Sequence, residues 1–136
     1  MRVVLDTNIL ISAFVFPGGS PESVFRLALE ERMEIVTSPA LLAEFARVLT
    51  DKFEWESAMV EQAVAQVARV AAVVRPSESV EMIAEDPDDD RVLEAAAEGS
   101  VEAIVSGDRH LLKLRTWRGV RIQRAGTFLA SFEHTD

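Results

Sequence analysis

The segment Arg2-Val3-Val4-Leu5-Asp6-Thr7-Asn8 decides the fold. Its first half has the form of a strand that is buried on both faces, because such strands read as apolar runs rather than as alternating patterns. The strand then ends abruptly on an acid, a hydroxyl and an amide. A carboxylate beside a core strand costs free energy unless another group compensates for its burial. Asp6 is therefore either the cap of a following helix or part of a functional site.

Further strands and helices alternate along the chain. Strands are predicted at residues 2–5, 34–37, 72–75, 103–106 and 119–123. Ser20-Pro21 and Ser38-Pro39 each predict the start of a helix, since serine caps a helix well and proline is favoured in its first turn. Strands separated by helices pair in parallel through right-handed crossovers. We therefore expect an α/β fold in which one domain, residues 1–136, has a parallel central sheet of about five strands flanked by helices.

The composition is that of a chain with one core and no disulfides. Of its 136 residues 49% are hydrophobic, enough for a single core. The absence of cysteine excludes disulfides and thiolate metal sites. Asp6 and Asn8 interrupt the first apolar run too early for a signal peptide, and no segment approaches the ~20 apolar residues of a membrane span. A soluble, cytoplasmic protein without membrane contact is expected.

The net charge of −9 argues against a nucleic-acid partner, because phosphate binding favours a basic surface. The charge is unevenly distributed, however. Residues 78–98 are strongly acidic, whereas residues 109–124 contain six Lys or Arg residues and no acid. Either run is also compatible with a solvated face. The acidity therefore weakens the case for RNA without removing it.

Carboxylates occur at the positions where parallel sheets bind ligands, outside the carboxyl ends of the strands. Asp6 and Asp108 each follow a predicted strand. Glu44 lies beside the apolar stripe of its helix, where it can also pair with an arginine such as Arg47. The run Glu85-Asp86-Pro87-Asp88-Asp89-Asp90 precedes another helix and contains its cap. Within this run Asp90 shares a helical face with Leu93 and Ala97, which favours it as the acid that points to the sheet, although Asp89 remains an alternative.

Convergence of these acids would create a site for a hard divalent cation. Mg²⁺ prefers oxygen ligands, usually one or two carboxylates with waters and a substrate phosphate. Carboxylates without a countercharge repel one another and raise one another's pKa, so a bound cation resolves the conflict. Thr7, Asn8 and Ser106 are neutral groups placed to orient these acids or a water.

The order and spacing of these segments resemble the PIN-domain family, and in particular its VapC-like toxin branch. The resemblance rests on Val-Val-Leu-Asp6-Thr-Asn8, on Ser38-Pro39 with Glu44 five residues beyond the proline, and on two later segments. These are Asp86-Pro-Asp-Asp-Asp90-Arg-Val-Leu and Ile-Val-Ser-Gly-Asp108 with Leu111-Leu112. Together they cover essentially the whole chain.

The resemblance implies a ribonuclease that uses Mg²⁺ or Mn²⁺ and leaves a 5′-phosphate and a 3′-hydroxyl. It implies catalytic carboxylates at Asp6, Glu44, Asp90 and Asp108, with Asn8 and Ser106 assisting. In our hypothesis Asp6, Asp90 and Asp108 hold the metal, and Asp89 can replace Asp90 while Asp86 serves as an auxiliary ligand. Arg109, Lys113 and Arg115 would contact RNA phosphates. Toxin-type members are usually inhibited by an antitoxin and often form homodimers, so both partners are expected.

Other functions remain as alternatives. A housekeeping nuclease of the same fold would have no antitoxin, and a non-catalytic module would keep the fold as a metal- and protein-binding surface. A phospho-accepting receiver domain would need an aspartate after a middle strand and a lysine after a late one, an arrangement that this chain lacks. A phosphohydrolase with Asp-x-Asp after its first strand is disfavoured, because Asn8 stands at the second position.

Overall fold

A computed structural model describes residues 1–83 and 85–135 and shows seven helices around one sheet. In chain order the elements are β1 (Arg2–Leu5), α1 (Thr7–Val15), α2 (Ser20–Leu29), β2 (Glu34–Thr37), α3 (Pro39–Asp51), α4 (Ser57–Val70), β3 (Ala72–Val73), α5 (Pro87–Gly99), β4 (Ala103–Val105), α6 (Arg109–Leu114), β5 (Thr116–Trp117), β6 (Val120–Gln123) and α7 (Ala125–Thr135). The strand order in the sheet is β3-β2-β1-β4-β6-β5. The predicted α/β fold with a central parallel sheet is confirmed. No helix of the described residues is long and apolar enough to span a membrane.

Strand β1 lies at the centre of the sheet, where the strand order reverses. It pairs in parallel with β2 on one side and with β4 on the other. The chain extends the sheet from β1 to β2 and β3, and then returns to the other side of β1 with β4 and β6. Ligands of such sheets bind outside the carboxyl ends of the strands at this point of reversal. The residues that follow β1 and β4 therefore occupy the expected binding position.

Both faces of the sheet are covered. Val3 and Leu5 of β1 contribute to a core cluster with helices α1 to α4 and α7, whereas Val4 belongs to a second cluster with α5 and α6. This arrangement explains the unbroken apolar run of β1, since successive side chains point to opposite faces. The apolar stretch after Asn8, to which we had assigned no element, forms helix α1, which packs on the first of these faces.

The sixth strand was not predicted. β5 pairs antiparallel with β6 across a two-residue turn, Arg118-Gly119. Both turn residues have positive φ, 51° and 81°, as the tightest hairpin turns with a right-handed twist require. Arg118 tolerates this backbone although it is not glycine, and its guanidinium stacks on the Trp117 ring at 4.3 Å from the centroid. The hairpin adds an antiparallel edge to the otherwise parallel sheet.

Residues 74–83, which we call the strap, connect β3 towards α5 without regular secondary structure. Three acids of α5, spaced four residues apart on one helical face, accept hydrogen bonds from backbone N–H groups of the strap. The pairs are Ser77 with Glu98 at 2.9 Å, Val80 with Glu94 at 2.8 Å, and Ile83 with Asp90 at 2.9 Å. Val80 and Ile83 are buried in the second core cluster, so the strap is held by polar and apolar contacts together.

Candidate metal centre

Ser106 links the two acids that follow the central strands. Its buried hydroxyl donates a hydrogen bond of 2.7 Å to Oδ2 of Asp6 and accepts one of 2.9 Å from the backbone N–H of Asp108. The backbone N–H of Asp6 in turn donates to the carbonyl of Val105 at the end of β4. Asp6 is 4% exposed. One hydroxyl thus fixes the distance between the ends of β1 and β4 and the direction of the Asp6 carboxylate.

Two further acids are oriented by capping helices. Asp108 is the N-cap of α6, and its Oδ1 accepts hydrogen bonds from the backbone N–H groups of His110 and Leu111 at 2.8 and 3.3 Å. Asp86 is the N-cap of α5, and its Oδ1 accepts from the N–H of Asp88 at 3.1 Å. Capping by a short carboxylate satisfies helix N–H groups that have no partner within the helix. It also holds each side chain in one orientation.

Asp86, Asp89 and Asp108 converge. Each offers one carboxylate oxygen, and these three oxygens lie within 4.8 Å of one another. Asp89 is 5% exposed, and its Oδ2 has no hydrogen-bond partner among the described residues. Burial, followed by the neighbouring carboxyls of Asp108, Asp86 and Asp6, raises the pKa of Asp89 to about 8.

This arrangement fits a divalent cation. A buried carboxylate oxygen without a donor costs free energy, and three carboxylates at this separation repel one another unless protons or a cation compensate. The donor set consists only of carboxylate oxygens, which suits Mg²⁺ or Mn²⁺ rather than a soft metal. Asp6 borders the cluster, because Ser106 links it to Asp108. Burial raises the pKa of Asp6, the hydrogen bond from Ser106 opposes this rise, and the charge of Asp108 adds to it.

Glu44 reaches the edge of the same site from helix α3. Burial raises its pKa to about 7; the Thr7 hydroxyl opposes this rise, and the carboxyls of Asp88 and Asp6 add to it. Arg47 lies between Glu44 and Asp88, with its Nη2 3.9 Å from Glu44 Oε2 and 3.7 Å from Asp88 Oδ2. No role of its own was predicted for Asp88. Its place beside Glu44 depends on how α3 and α5 pack, which no local pattern reveals.

Asp90 does not join the cluster. Its Oδ1 accepts hydrogen bonds from the N–H groups of Met82 and Ile83 at 3.0 and 2.9 Å, so it faces the strap. The position that we favoured for Asp90 is occupied by Asp89. The reason is helical geometry. Asp89 follows Asp86 by three positions, which places both on one side of the first turn, whereas Asp90 lies about 100° further round the helix.

The remaining predicted residues lie at different depths. Thr7 is buried beside Glu44, whereas Asn8 is exposed. Arg109 and Lys113 are exposed on α6, and Arg115 is exposed just after it. Within the described part of the chain none of these three cations makes an ion pair. Helix α6 begins immediately after Asp108, so it places positive charge next to the acidic cluster.

The sheet is largely parallel, its strand order reverses at β1, and the acids lie at the strand ends there. These features define a class of α/β domain that binds ligands at the strand ends. Comparison with known families then identifies it: the model of the PIN domain family matches residues 2–110, and the chain belongs to that family.

Two individual proteins show the likeness. An uncharacterized protein of Methanocaldococcus jannaschii is 29% identical over 119 residues, which cover 85% of this chain and 76% of that protein. The crystal structure of VapBC2 from Rickettsia felis bound to a DNA fragment from their promoter contains a chain of similar fold. Its TM-score is 0.63 at 14% identity, and the match covers 91% of this chain and 98% of that chain.

Proposed function

We propose that this protein is a Mg²⁺- or Mn²⁺-dependent endoribonuclease. PIN domains are generally nucleases, and the convergence of Asp86, Asp89 and Asp108 beside Asp6 carries the proposal. These are the groups needed to hold a cation against a phosphodiester. We place the cation on Asp86, Asp89 and Asp108, with Asp6 at its border, so that Asp89 replaces Asp90 in the predicted set. A cation held there would supply Lewis acidity, which would favour ionisation of a water and stabilise negative charge on the phosphate oxygens.

The chain's own residues hold and orient the reacting groups. Glu44 has a pKa of about 7, so near neutral pH its carboxylate can accept a proton from a water held at the cluster. Arg47 sits within 4 Å of both Glu44 and Asp88 and keeps these two carboxyls in place. Ser106 keeps Asp6 aligned through its hydroxyl. Arg109, Lys113 and Arg115 contact RNA phosphates, which adds affinity and no base specificity.

We further propose that the protein is a toxin of the VapC type with a cognate antitoxin and a homodimeric state. The sequence resemblance and the fold shared with the VapBC2 structure support this assignment. A housekeeping nuclease would have the same catalytic site. Expression of the wild type, with and without the neighbouring small reading frame, separates the two: growth arrest that the neighbour relieves supports a toxin, and unaffected growth supports a housekeeping enzyme.

Cleavage of a labelled mixed RNA pool tests the nuclease. The wild type is compared with Asp6→Asn and with Asp51→Asn, which removes the same charge from an exposed position at the end of α3. Mg²⁺ or Mn²⁺ should support cutting by the wild type and by Asp51→Asn, EDTA should stop it, and Asp6→Asn should be inactive while remaining folded. Full activity of Asp6→Asn, or cutting that is insensitive to EDTA, would refute the mechanism.

A further inference from the structure

Two neighbouring cavities lie beyond the edge of the acidic site that Glu44 forms. The smaller, of about 250 Å³, is lined by Glu44, Arg47 and Asp88. The larger, of about 490 Å³, lies between the first turn of α3 and the strap, and Arg75 and Ser79 are among its walls.

The two cavities are neighbours, and together they are called the groove. Ala40 of α3 and Arg91 of α5 line both of them. The groove therefore begins at Glu44, at the edge of the acidic site, passes the first turn of α3 and ends at the strap. The groove thus lies on the side of α3 and the strap. Arg109 and Lys113 lie elsewhere, on helix α6, which follows Asp108.

The acids of the larger cavity are already neutralised. Glu94 is paired with Arg91, whose Nε and Nη2 lie 2.9 Å from its two oxygens, and it also accepts the N–H of Val80. Glu78 is paired with Arg118 by two hydrogen bonds of 2.8 and 2.7 Å. The Glu78–Arg118 pair is exposed, but two parallel hydrogen bonds are the favourable geometry for a guanidinium and a carboxylate.

Arg75 is different. It is exposed, lines the larger cavity, and makes no ion pair or hydrogen bond within the described part of the chain. Among the residues that line the larger cavity, the uncompensated charge is therefore positive and lies at Arg75. The hydroxyl of Ser79 adds a neutral donor beside it. An arginine with free donors and a nearby hydroxyl suits a phosphate group, which accepts a two-point contact from a guanidinium.

We propose that the groove is a second RNA-binding subsite, in which Arg75 binds a backbone phosphate of the strand that extends from the acidic site past Arg47. The inference rests on the proposed ribonuclease function and specifies the course of the RNA across the site. The RNA contacts α6 on one side of the scissile bond and this groove on the other. A ligand held in this way is single-stranded, because its backbone must follow a groove bounded by one helix turn and a loop.

Binding of a short, fluorescently labelled single-stranded RNA tests the subsite. Arg75→Ala is compared with Arg69→Ala, which removes another exposed arginine from α4, outside the groove, that makes no ion pair with any described residue. Both changes are made in the Asp6→Asn background, with Mg²⁺ present, so that the RNA stays intact. Arg75→Ala should raise Kd roughly fivefold and lower the slope of log K against log salt by about 0.7, the effect of one lost phosphate contact on a single strand. Arg69→Ala should change neither.

The two proposals fail in different ways. If the wild type cleaves RNA but Arg75→Ala and Arg69→Ala bind it equally, the groove is refuted and the nuclease stands. If the wild type does not cleave RNA under any metal condition, the nuclease is refuted. In active protein Arg75→Ala should raise KM and leave kcat unchanged, whereas a fall in kcat alone would contradict a binding role.

Discussion

Asp89 provides the sharpest test of the metal centre, because it should destabilise the metal-free fold. Its carboxyl is buried beside Asp86 and Asp108, and its Oδ2 has no donor in the described structure. Asp89→Asn keeps the shape of the side chain and removes the charge. We therefore expect the variant to be more stable than the wild type without metal, and to lose the stabilisation that a divalent cation provides.

The size of the effect follows from the pKa. Asp89 titrates near 8 in the folded protein against 3.8 in its ordinary environment. At about 1.4 kcal/mol per pH unit, retaining at pH 7 a proton that the unfolded chain has released costs at most about 4 kcal/mol. Asp86 and Asp108 still repel each other in the variant, so we expect Asp89→Asn to recover only part of this cost, roughly 1–3 kcal/mol at pH 7 to 8.

The sign of the pH dependence is fixed by the same shift. Between about pH 4 and pH 8 the folded state binds more protons at Asp89 than the unfolded state, so the free energy of unfolding falls as pH rises through this window. The wild type and Asp89→Asn should therefore be equally stable near pH 4 and should diverge towards pH 8. A cation replaces the proton, and it should stabilise the wild type more at pH 8 than at pH 5.

Thermal unfolding in EDTA, and then with added Mg²⁺ or Mn²⁺, measures both effects. Asp51→Asn is the control for the loss of one negative charge at an exposed site. The wild type and the control should gain Tm on metal addition at pH 8, and Asp89→Asn should gain little. If Asp89→Asn is less stable than the wild type in EDTA at pH 8, or keeps the full response to metal, the reasoning about the cluster is refuted.

Three other changes probe the surrounding structure. Ser106→Ala removes the donor to Asp6, so we expect urea unfolding to show a loss of about 1.5–3 kcal/mol and cleavage assays a lower kcat. Asp90→Ala removes the acceptor for two strap N–H groups and should cost about 1–3 kcal/mol, yet calorimetry should show intact metal binding. Gly99→Ala would place a Cβ 2.6 Å from Val36 Cγ1 and should lower stability by about 1–3 kcal/mol. In a double-mutant cycle, Val36→Ala should relieve part of that loss. If the two losses are additive, the clash is disproved.

Most of the fold was predictable from the sequence, because its signals are local. The apolar run of β1 and the two Ser-Pro starts of helices depend on neighbouring residues only. Ser38 does cap α3, because its hydroxyl accepts a hydrogen bond from the N–H of Leu41. The predicted Ser20 cap was wrong, since Ser20 is the first residue of α2 and Gly19 is the N-cap. Strand β5 was missed, since two residues at a sheet edge leave no periodic pattern. Its turn, Arg118-Gly119, is readable only when Arg118 is known to be held by Trp117 and Glu78.

The choice between Asp89 and Asp90 depended on where helix α5 begins. Asp86-Pro87 has the same cap-and-proline form as Ser38-Pro39, which fixes Asp86 as the N-cap and Asp89 as the third residue of the helix. A side chain at that position points back towards the N-cap. The face shared with Leu93 was a weaker guide for Asp90, because the strap covers that part of α5 and its course cannot be read from sequence.

The acids of α5 also bear on the net negative charge, which by itself argues against a nucleic-acid partner. The chain carries −9 overall, but Asp90, Glu94 and Glu98 are occupied in holding the strap. Their carboxylates accept backbone N–H groups and face away from the acidic cluster. The acids left for a cation are those at the start of the helix, where a metal would neutralise them. Within the described residues, Arg75 and the three cations of residues 109–115 make no ion pair. The net charge is therefore compatible with the proposed RNA path, because hydrogen bonds or a divalent ion would compensate for the acids of α5.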